Sequence, residues 1–248
     1  IFLIYFSCFI YNWKKNIKNK YYGGFEVEKI ILEAKNIHKS YKNGEKKLDV
    51  LSGFELELRE KEIITITGQS GSGKSTALNI LGTLDLPDIG NIIIEEKQVD
   101  KLDNKHLSIL RNKSIGFVFQ FHYLLPEFSA LENVLIPTWI KEKRSNSDYA
   151  ESLFSDLGLS SKLHSFPNQL SGGERARVAL IRGIVNKPRI LFADEPTGNL
   201  DEENASRLIK LLMKINEKYN QAIVITTHNP KVAKIGNKKF KLEKGKLN

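Results

Sequence analysis

The sequence predicts an α/β chain built on a mostly parallel, doubly wound sheet, and three observations predict it. Ile63 to Thr67 form an unbroken β-branched run, as expected of a strand covered on both faces. The run leads at once into the glycine-rich stretch GQSGSGKST, Gly68–Thr76, and then into a segment with helical period. Strand-like and helix-like segments go on alternating from there, the pattern of a parallel sheet with crossover helices.

The elements follow in order. KIILEAKNIHKSY reads as a strand leading into a turn, and FELELRE, Phe54–Glu60, alternates apolar and charged residues as a half-buried strand does. Ala77, Leu78, Ile80, Leu81 and Leu84 mark the apolar side of the helix after the glycines. NIIIEE and SIGFVFQ are two further strands. From Leu124 to Leu170 the texture changes to short amphipathic helices joined by loops, with Gly158 expected at a helix C-terminus. This predicts a helical insertion over about 121–172. GERARVALIRGIVN is a helix stopped by Pro188. RILFAD and AIVITT are strands, with a helix over Glu202–Tyr219 between them, and KKFKLEKGKLN closes as an edge strand and turn.

Bulk properties narrow the function classes. A chain of 248 residues can form one large α/β domain with a sizeable core. The net charge of +9 comes from 38 Lys+Arg against 29 Asp+Glu. The lysines are spread along the chain with no basic run of five or more, so nucleic acid is not the expected partner. The single cysteine, Cys8, allows no disulfide within this sequence. IFLIYFSCFIYNW at the start is apolar but shorter than the ~20 residues of a spanning helix. It resembles a secretion signal only loosely, because no basic n-region precedes it in this sequence and no small-residue cleavage site follows it. Residues 1–27 therefore read as an extension outside the domain, with a weak membrane-touching segment as the alternative, and residues 28–248 as the domain.

The stretch Gly68, Gln69, Ser70, Gly71, Ser72, Gly73, Lys74, Ser75 and Thr76 fits the phosphate-binding pattern G-x-x-x-x-G-K-[ST], in the required strand–loop–helix context. The glycines let successive backbone N–H groups turn toward phosphate oxygens, and the helix start adds partial positive charge. Lys74 is expected on the β- and γ-phosphates of a nucleotide and the Ser75 hydroxyl on Mg²⁺. Such a site needs a carboxylate at the end of a neighbouring strand. Asp194 closes the apolar run RILFAD and meets that need as a second metal ligand, and Glu195 beside it can polarise a water. Gln120 ends GFVFQ and His228 ends AIVITTH. Gln120 is placed to reach the metal or the attacking water, and His228 the γ-phosphate.

A second helix start, Ser171-Gly172-Gly173 in LSGGE, offers a hydroxyl, backbone N–H groups and a dipole to an anion. With this motif the chain resembles the nucleotide-binding subunits of ABC (ATP-binding cassette) transporters, over about residues 28–248. The order of motifs is theirs: phosphate loop, Gln120, signature Leu170–Glu174, the acids Asp194 and Glu195, Asp201, and His228. The resemblance implies a P-loop NTPase of the cassette type, with a mostly parallel sheet core, an antiparallel β subdomain and a helical subdomain. It implies ATP and Mg²⁺ as ligands and catalytic roles for Glu195, His228, Gln120 and Lys74. It also places Tyr41 against adenine and implies a head-to-tail homodimer in which Ser171, Gly172, Gly173, Glu174 and Asp201 complete the partner's site. Ala176 stands where many members carry Gln, which puts a peripheral polar contact in question.

FHYLLPEFSALENVLIP after Gln120, together with ADEPTGNLD, is most similar to the lipoprotein-releasing LolD group. The macrolide-exporter MacB and cell-division FtsE groups share EPTGNLD and are the alternative. The LolD resemblance implies two integral membrane subunits of the LolC/LolE type and a peripheral place on the cytoplasmic face of a bacterial inner membrane. Phe121, His122 and Tyr123 are then expected to contact those subunits, and Leu124 and Leu125 to lie in the core. DNA-repair ATPases with the same signature carry long coiled coils or zinc modules, and translation-associated cassettes carry two phosphate loops. Neither pattern is present in this sequence.

Overall fold

Two sheets organise the described residues of the computed structural model, which are 28–43, 46–141 and 147–248. The extension expected over residues 1–27 lies outside them. Strands β1 (Ile30–Asn43) and β2 (Lys46–Arg59) pair antiparallel with several register shifts. β3 (Ile63–Thr67) enters the second sheet, and helix α1 (Lys74–Leu81) follows the glycine-rich loop. The chain then returns to the first sheet through β4 (Ile89–Ile94) and β5 (Lys97–Gln98), giving the order β2-β1-β4-β5.

Helix α2 (Asn104–Ser114) leads into β6 (Ile115–Phe119). Helices α3 (Ala130–Lys141), α4 (Ser147–Asp156) and α5 (Gly172–Ile184) come next. The remaining elements are β7 (Ile190–Asp194), α6 (Glu202–Tyr219), β8 (Ala222–Thr227), the short α7 (Pro230–Ala233), β9 (Lys238–Glu243) and β10 (Lys246–Leu247). The second sheet has the order β10-β9-β3-β8-β7-β6, parallel except for the antiparallel edge β10.

The unbroken apolar strands are explained by what covers them. Ile64, Ile66, Phe192 and Val224 face a core shared with the antiparallel sheet, including Leu32, Phe54 and Leu81. Their neighbours Ile63, Leu191, Ala193, Ile223 and Ile225 face a second core with Val134, Phe154 and Ile181 of the helices. Period-two side chains thus bury on both faces. In β2 only one face is covered, so Phe54, Leu56 and Leu58 are buried while Glu55 and Glu57 are exposed.

The helix ends have local causes. Gly158, at φ +69°, closes α4: its N–H donates to Ser155 O, and Leu159 N–H donates to Phe154 O. The same closure ends α1 earlier than its periodicity predicts. Thr83 is left-handed at φ +61°, its N–H donates to Ile80 O, and Leu84 N–H donates to Asn79 O. Leu84 is therefore outside the helix and 47% exposed, not part of its apolar side. Helix α2 escapes a reading by apolar period because only Leu107 and Leu110 anchor it, with Asp103 capping its start through His106 N–H.

Candidate functional site

The register of the parallel strands gathers the site. Thr67 of β3 lies opposite Thr227 of β8, Thr226 opposite Asp194 of β7, and Asp194 opposite Phe119 of β6. The next residues along each strand are Gly68, His228, Glu195 and Gln120. Four sequence-distant residues thus leave the carboxyl edge of one sheet from adjacent strands about 4.8 Å apart, where ligands bind in such folds.

Gln120, Glu195 and His228 border a cleft of about 690 Å³ that is also lined by Tyr41, Val50, Ser70, Gly71, Gly73, Lys74, Ser75 and Thr76. Gln69 and Ser72 lie on the outer side of the loop, along an adjoining groove with Leu242 and Gly245. Gly73 has φ +99°, and a Cβ there would meet Val50 Cγ1 at 2.8 Å, so the loop's curl and its seat on β2 both require glycine. Lys74 is curled into the loop. Its Nζ donates to Gly68 O at 2.9 Å and Gln69 O at 3.0 Å, and stands 3.8 Å from Glu195 Oε1.

Glu195 is the hub of the cleft. Its φ of +45° breaks the strand direction, and its N–H still donates to Thr226 O. Its Oε2 accepts from His228 N–H at 3.1 Å and stands 2.8 Å from His228 Nδ1. Asp194, one residue earlier, points away from this pair: its Oδ1 accepts from Thr226 Oγ1 at 2.6 Å. Gln120 and Asn199 hold each other reciprocally, Gln120 Nε2 to Asn199 Oδ1 at 3.3 Å and Asn199 Nδ2 to Gln120 O at 3.2 Å.

Tyr41 forms one wall. Its hydroxyl donates to Asp85 Oδ2 at 2.7 Å, and Lys39 Nζ sits 5.2 Å from its ring centre while donating to Asp85 Oδ1. Burial and the Asp85 carboxylate hold the phenol above its ordinary pKa. His38 is turned to Asn36 instead.

The signature residues do not line this cleft. Ser171 caps α5: its Oγ accepts from Glu174 N–H at 3.2 Å, and Glu174 Oε2 accepts from Ser171 N–H at 2.8 Å. That N–H holds the Glu174 carboxyl below its ordinary pKa. Asp201 caps α6 through Asn204 N–H, and Asn204 Nδ2 also donates to Asp201 Oδ2. Asn204 lies against Gly173, so the two caps are neighbours.

Two expectations are corrected. His122 is buried at 7% exposure, whereas Phe121 and Tyr123 are exposed at 65% and 62%. Leu125, placed in the core by the sequence reading, is 42% exposed because the turn swings it outward, while Leu124 packs on the helical core. The doubt about a polar contact at Ala176 agrees with the structure: this α5 residue is fully buried in the helical core. Sequence reasoning missed Asn199, Asn204, Thr226 and Asp85. Asn199, Thr226 and Asp85 act through hydrogen bonds to distant segments, and Asn204 through its contact with Gly173, which no local pattern announces; only Asn199, inside TGNLD, lay in a motif already singled out.

Comparison with known proteins matches this arrangement. The ABC transporter family profile matches residues 51–198. The chain is 45% identical over 217 residues to the lipoprotein-releasing system ATP-binding protein LolD of Cytophaga hutchinsonii, covering 87% of this chain and 97% of the relative. It is 46% identical over 219 residues to LolD of Aquifex aeolicus, covering 88% and 96%. Among solved structures, the dimeric bacterial ABC transporter cassette MJ0796 superposes with a TM-score of 0.82 at 38% identity, over 88% of this chain and 96% of that one. A post-hydrolysis dimer of MJ0796 bound to ADP and Pi gives 0.81 at 37% identity, with the same coverage. With the phosphate loop, the strand-end acids and the capped signature helix in this geometry, the chain belongs to the ABC transporter family of ATP-binding cassettes, in the group that holds the LolD proteins.

Proposed function

We propose that the chain is the ATP-hydrolysing subunit of a lipoprotein-releasing transporter, working as a homodimer beneath two integral membrane subunits of the LolC/LolE type. The observation that carries this reading is a divided site. Lys74, Glu195 and His228 converge in one cleft, while the Ser171–Gly173 helix start lies outside its lining. A second copy facing head to tail brings each helix start to the other's cleft, as an isologous pair requires. The names of the LolD relatives support the cargo.

Within the cleft each residue has a part. The loop N–H groups and Lys74 bind the phosphates, Lys74 exchanging its carbonyl partners Gly68 O and Gln69 O for phosphate oxygens. Glu195 takes the proton of the attacking water, and His228 orients Glu195 and meets the γ-phosphate. The donors Ser75, Asp194 and Gln120 are all oxygen ligands, the set a hard cation such as Mg²⁺ takes beside phosphate. Thr226 fixes Asp194 Oδ1 and leaves Oδ2 for that cation. Bound Mg²⁺ would neutralise charge developing on the phosphates.

Exposed Tyr123 meets Phe119 edge-on at the side of a groove of about 360 Å³ lined also by Phe117, Pro137 and Ile140, and with exposed Phe121 and Leu125 this region is a seat for the membrane subunits. No helix among the described residues is long and apolar enough to cross a membrane. In this reading attachment to the cytoplasmic face of the inner membrane comes from the partners.

Mixing tests the divided site. Lys74→Ala and Gly172→Arg chains should each be inactive alone. In mixed dimers one of the two sites carries neither change, so roughly half of the sites in those dimers should regain ATPase activity. Mixtures that stay inactive sink the proposal.

A further inference from the structure

We propose that Arg182 is a positioning residue: its guanidinium holds the turn Phe121–Tyr123 in the course that sets Gln120 in the cleft and turns Phe121 and Tyr123 outward. This deepens the function proposed above and rests on it for the role of Gln120.

The turn is conformationally costly. His122 has φ +61° and Tyr123 φ +46°, two successive residues in a region that side-chain-bearing residues seldom occupy. Tyr123 N–H donates to Phe121 O at 2.7 Å and His122 N–H to Phe119 O at 3.0 Å. The two carbonyls of the strained pair are taken by one side chain from another element. Arg182 donates through Nη2 to His122 O at 2.5 Å and through Nη1 to Tyr123 O at 2.7 Å. Among the described residues no carboxylate pairs with this half-buried cation, so its planar fork serves the two carbonyls. A lysine has no such fork.

The fork stands on a firm base. Helix α5 meets β6 backbone to backbone, since a Cβ on Gly116 would come within 2.0 Å of Gly183 O. The same helix begins at the Ser171 cap. One rigid element therefore carries the signature tip at one end and the clamp on the Gln120 turn near the other. With the turn held, His122 packs inward and the aromatic rings on either side splay out. Gln120 sits one residue before the turn and keeps its reciprocal bonds to Asn199.

The test uses the full chain with Arg182→Lys. The His122 and Tyr123 amides should exchange about tenfold faster than in the unaltered chain, while amides in the middle of α5 keep their protection. The kcat for ATP should fall about tenfold at unchanged KM, since the phosphate loop is untouched. Adding Tyr123→Gly, which takes a left-handed φ freely, should restore kcat to within about threefold. Unchanged exchange, faster exchange spread along α5, a rise in KM at constant kcat, or no rescue by glycine would each overturn the clamp. If Arg182→Lys precipitates, Arg182→Gln, which keeps one donor, is read by the same measures. Gln120→Ala separates the two claims: full kcat in that variant defeats the cleft role of Gln120, and the exchange result still decides the clamp.

Discussion

Asn204 occupies the space that a side chain on Gly173 would need: a Cβ there would lie 2.1 Å from Asn204 Oδ1. Asn204 is itself fixed by two bonds to Asp201, at 2.9 and 2.6 Å. The second glycine of the signature is thus a packing requirement between two helix starts. The first is not, since a Cβ on Gly172 meets only Leu200 Cδ2 at 3.8 Å.

Gly173→Ala should therefore destabilise the chain by ~1–3 kcal/mol, the usual range for overpacking. Gly172→Ala should leave stability within ~1 kcal/mol, since the site is open and alanine favours helix. Urea unfolding midpoints of the two variants decide it. Equal losses would show that the Asn204 contact does not restrict position 173.

Glu195→Gln should bind ATP as the unaltered chain does and turn it over ~10²–10⁴-fold more slowly, the range ascribed to a positioned base. The amide keeps an acceptor for His228 N–H but loses the charge facing Lys74. Binding is read with a fluorescent nucleotide and turnover by phosphate release. The slow variant should accumulate as an ATP-dependent dimer in size-exclusion chromatography. Native turnover would remove Glu195 from the base role.

Much of this site was legible in the sequence because its chemistry is local. Gly68–Thr76 and Leu170–Glu174 carry their geometry in their own backbone, and α6 runs from Glu202 to Tyr219 as predicted because Asp201 caps its start and Asn220 ends it in a left-handed turn. The rest depends on contacts between distant segments. That β1, β2, β4 and β5 form a sheet of their own cannot be read from alternation alone, which is common to all antiparallel strands. Whether Leu125 lies inside or outside depends on two left-handed residues and on an arginine 57 positions along the chain from it. The link from Gly173 to Asn204 exists only once two helices meet.

The buried His122 sets a pH dependence. Burial, then the nearby Arg175 and Arg182, lower its pKa from 6.5 to about 4. Between these values the unfolded chain binds a proton that the folded chain refuses, so stability rises with pH across that window. The contribution is complete above pH 6.5 and is lost progressively as pH falls toward 4. His122→Gln, which does not titrate, should lose less stability between pH 7 and pH 5 than the unaltered chain, as read from urea midpoints. Parallel losses would show that His122 is free to protonate in the fold.

Tyr41 permits a separation of ring from hydroxyl. The ring lines the cleft beside the glycine-rich loop, and the hydroxyl reaches to Asp85. If the ring stacks on a base, Tyr41→Ala should weaken ATP binding by about tenfold, in line with ~1–3 kcal/mol for aromatic–base stacking. Tyr41→Phe keeps the ring and loses only an exposed hydrogen bond, so its affinity should stay within about threefold of the unaltered chain. Inorganic triphosphate, which has no base, should bind all three chains alike in competition with a fluorescent nucleotide. A loss of triphosphate affinity in Tyr41→Ala would instead mean that Tyr41 shapes the phosphate loop, and equal losses in Phe and Ala would assign the effect to the Asp85 bond.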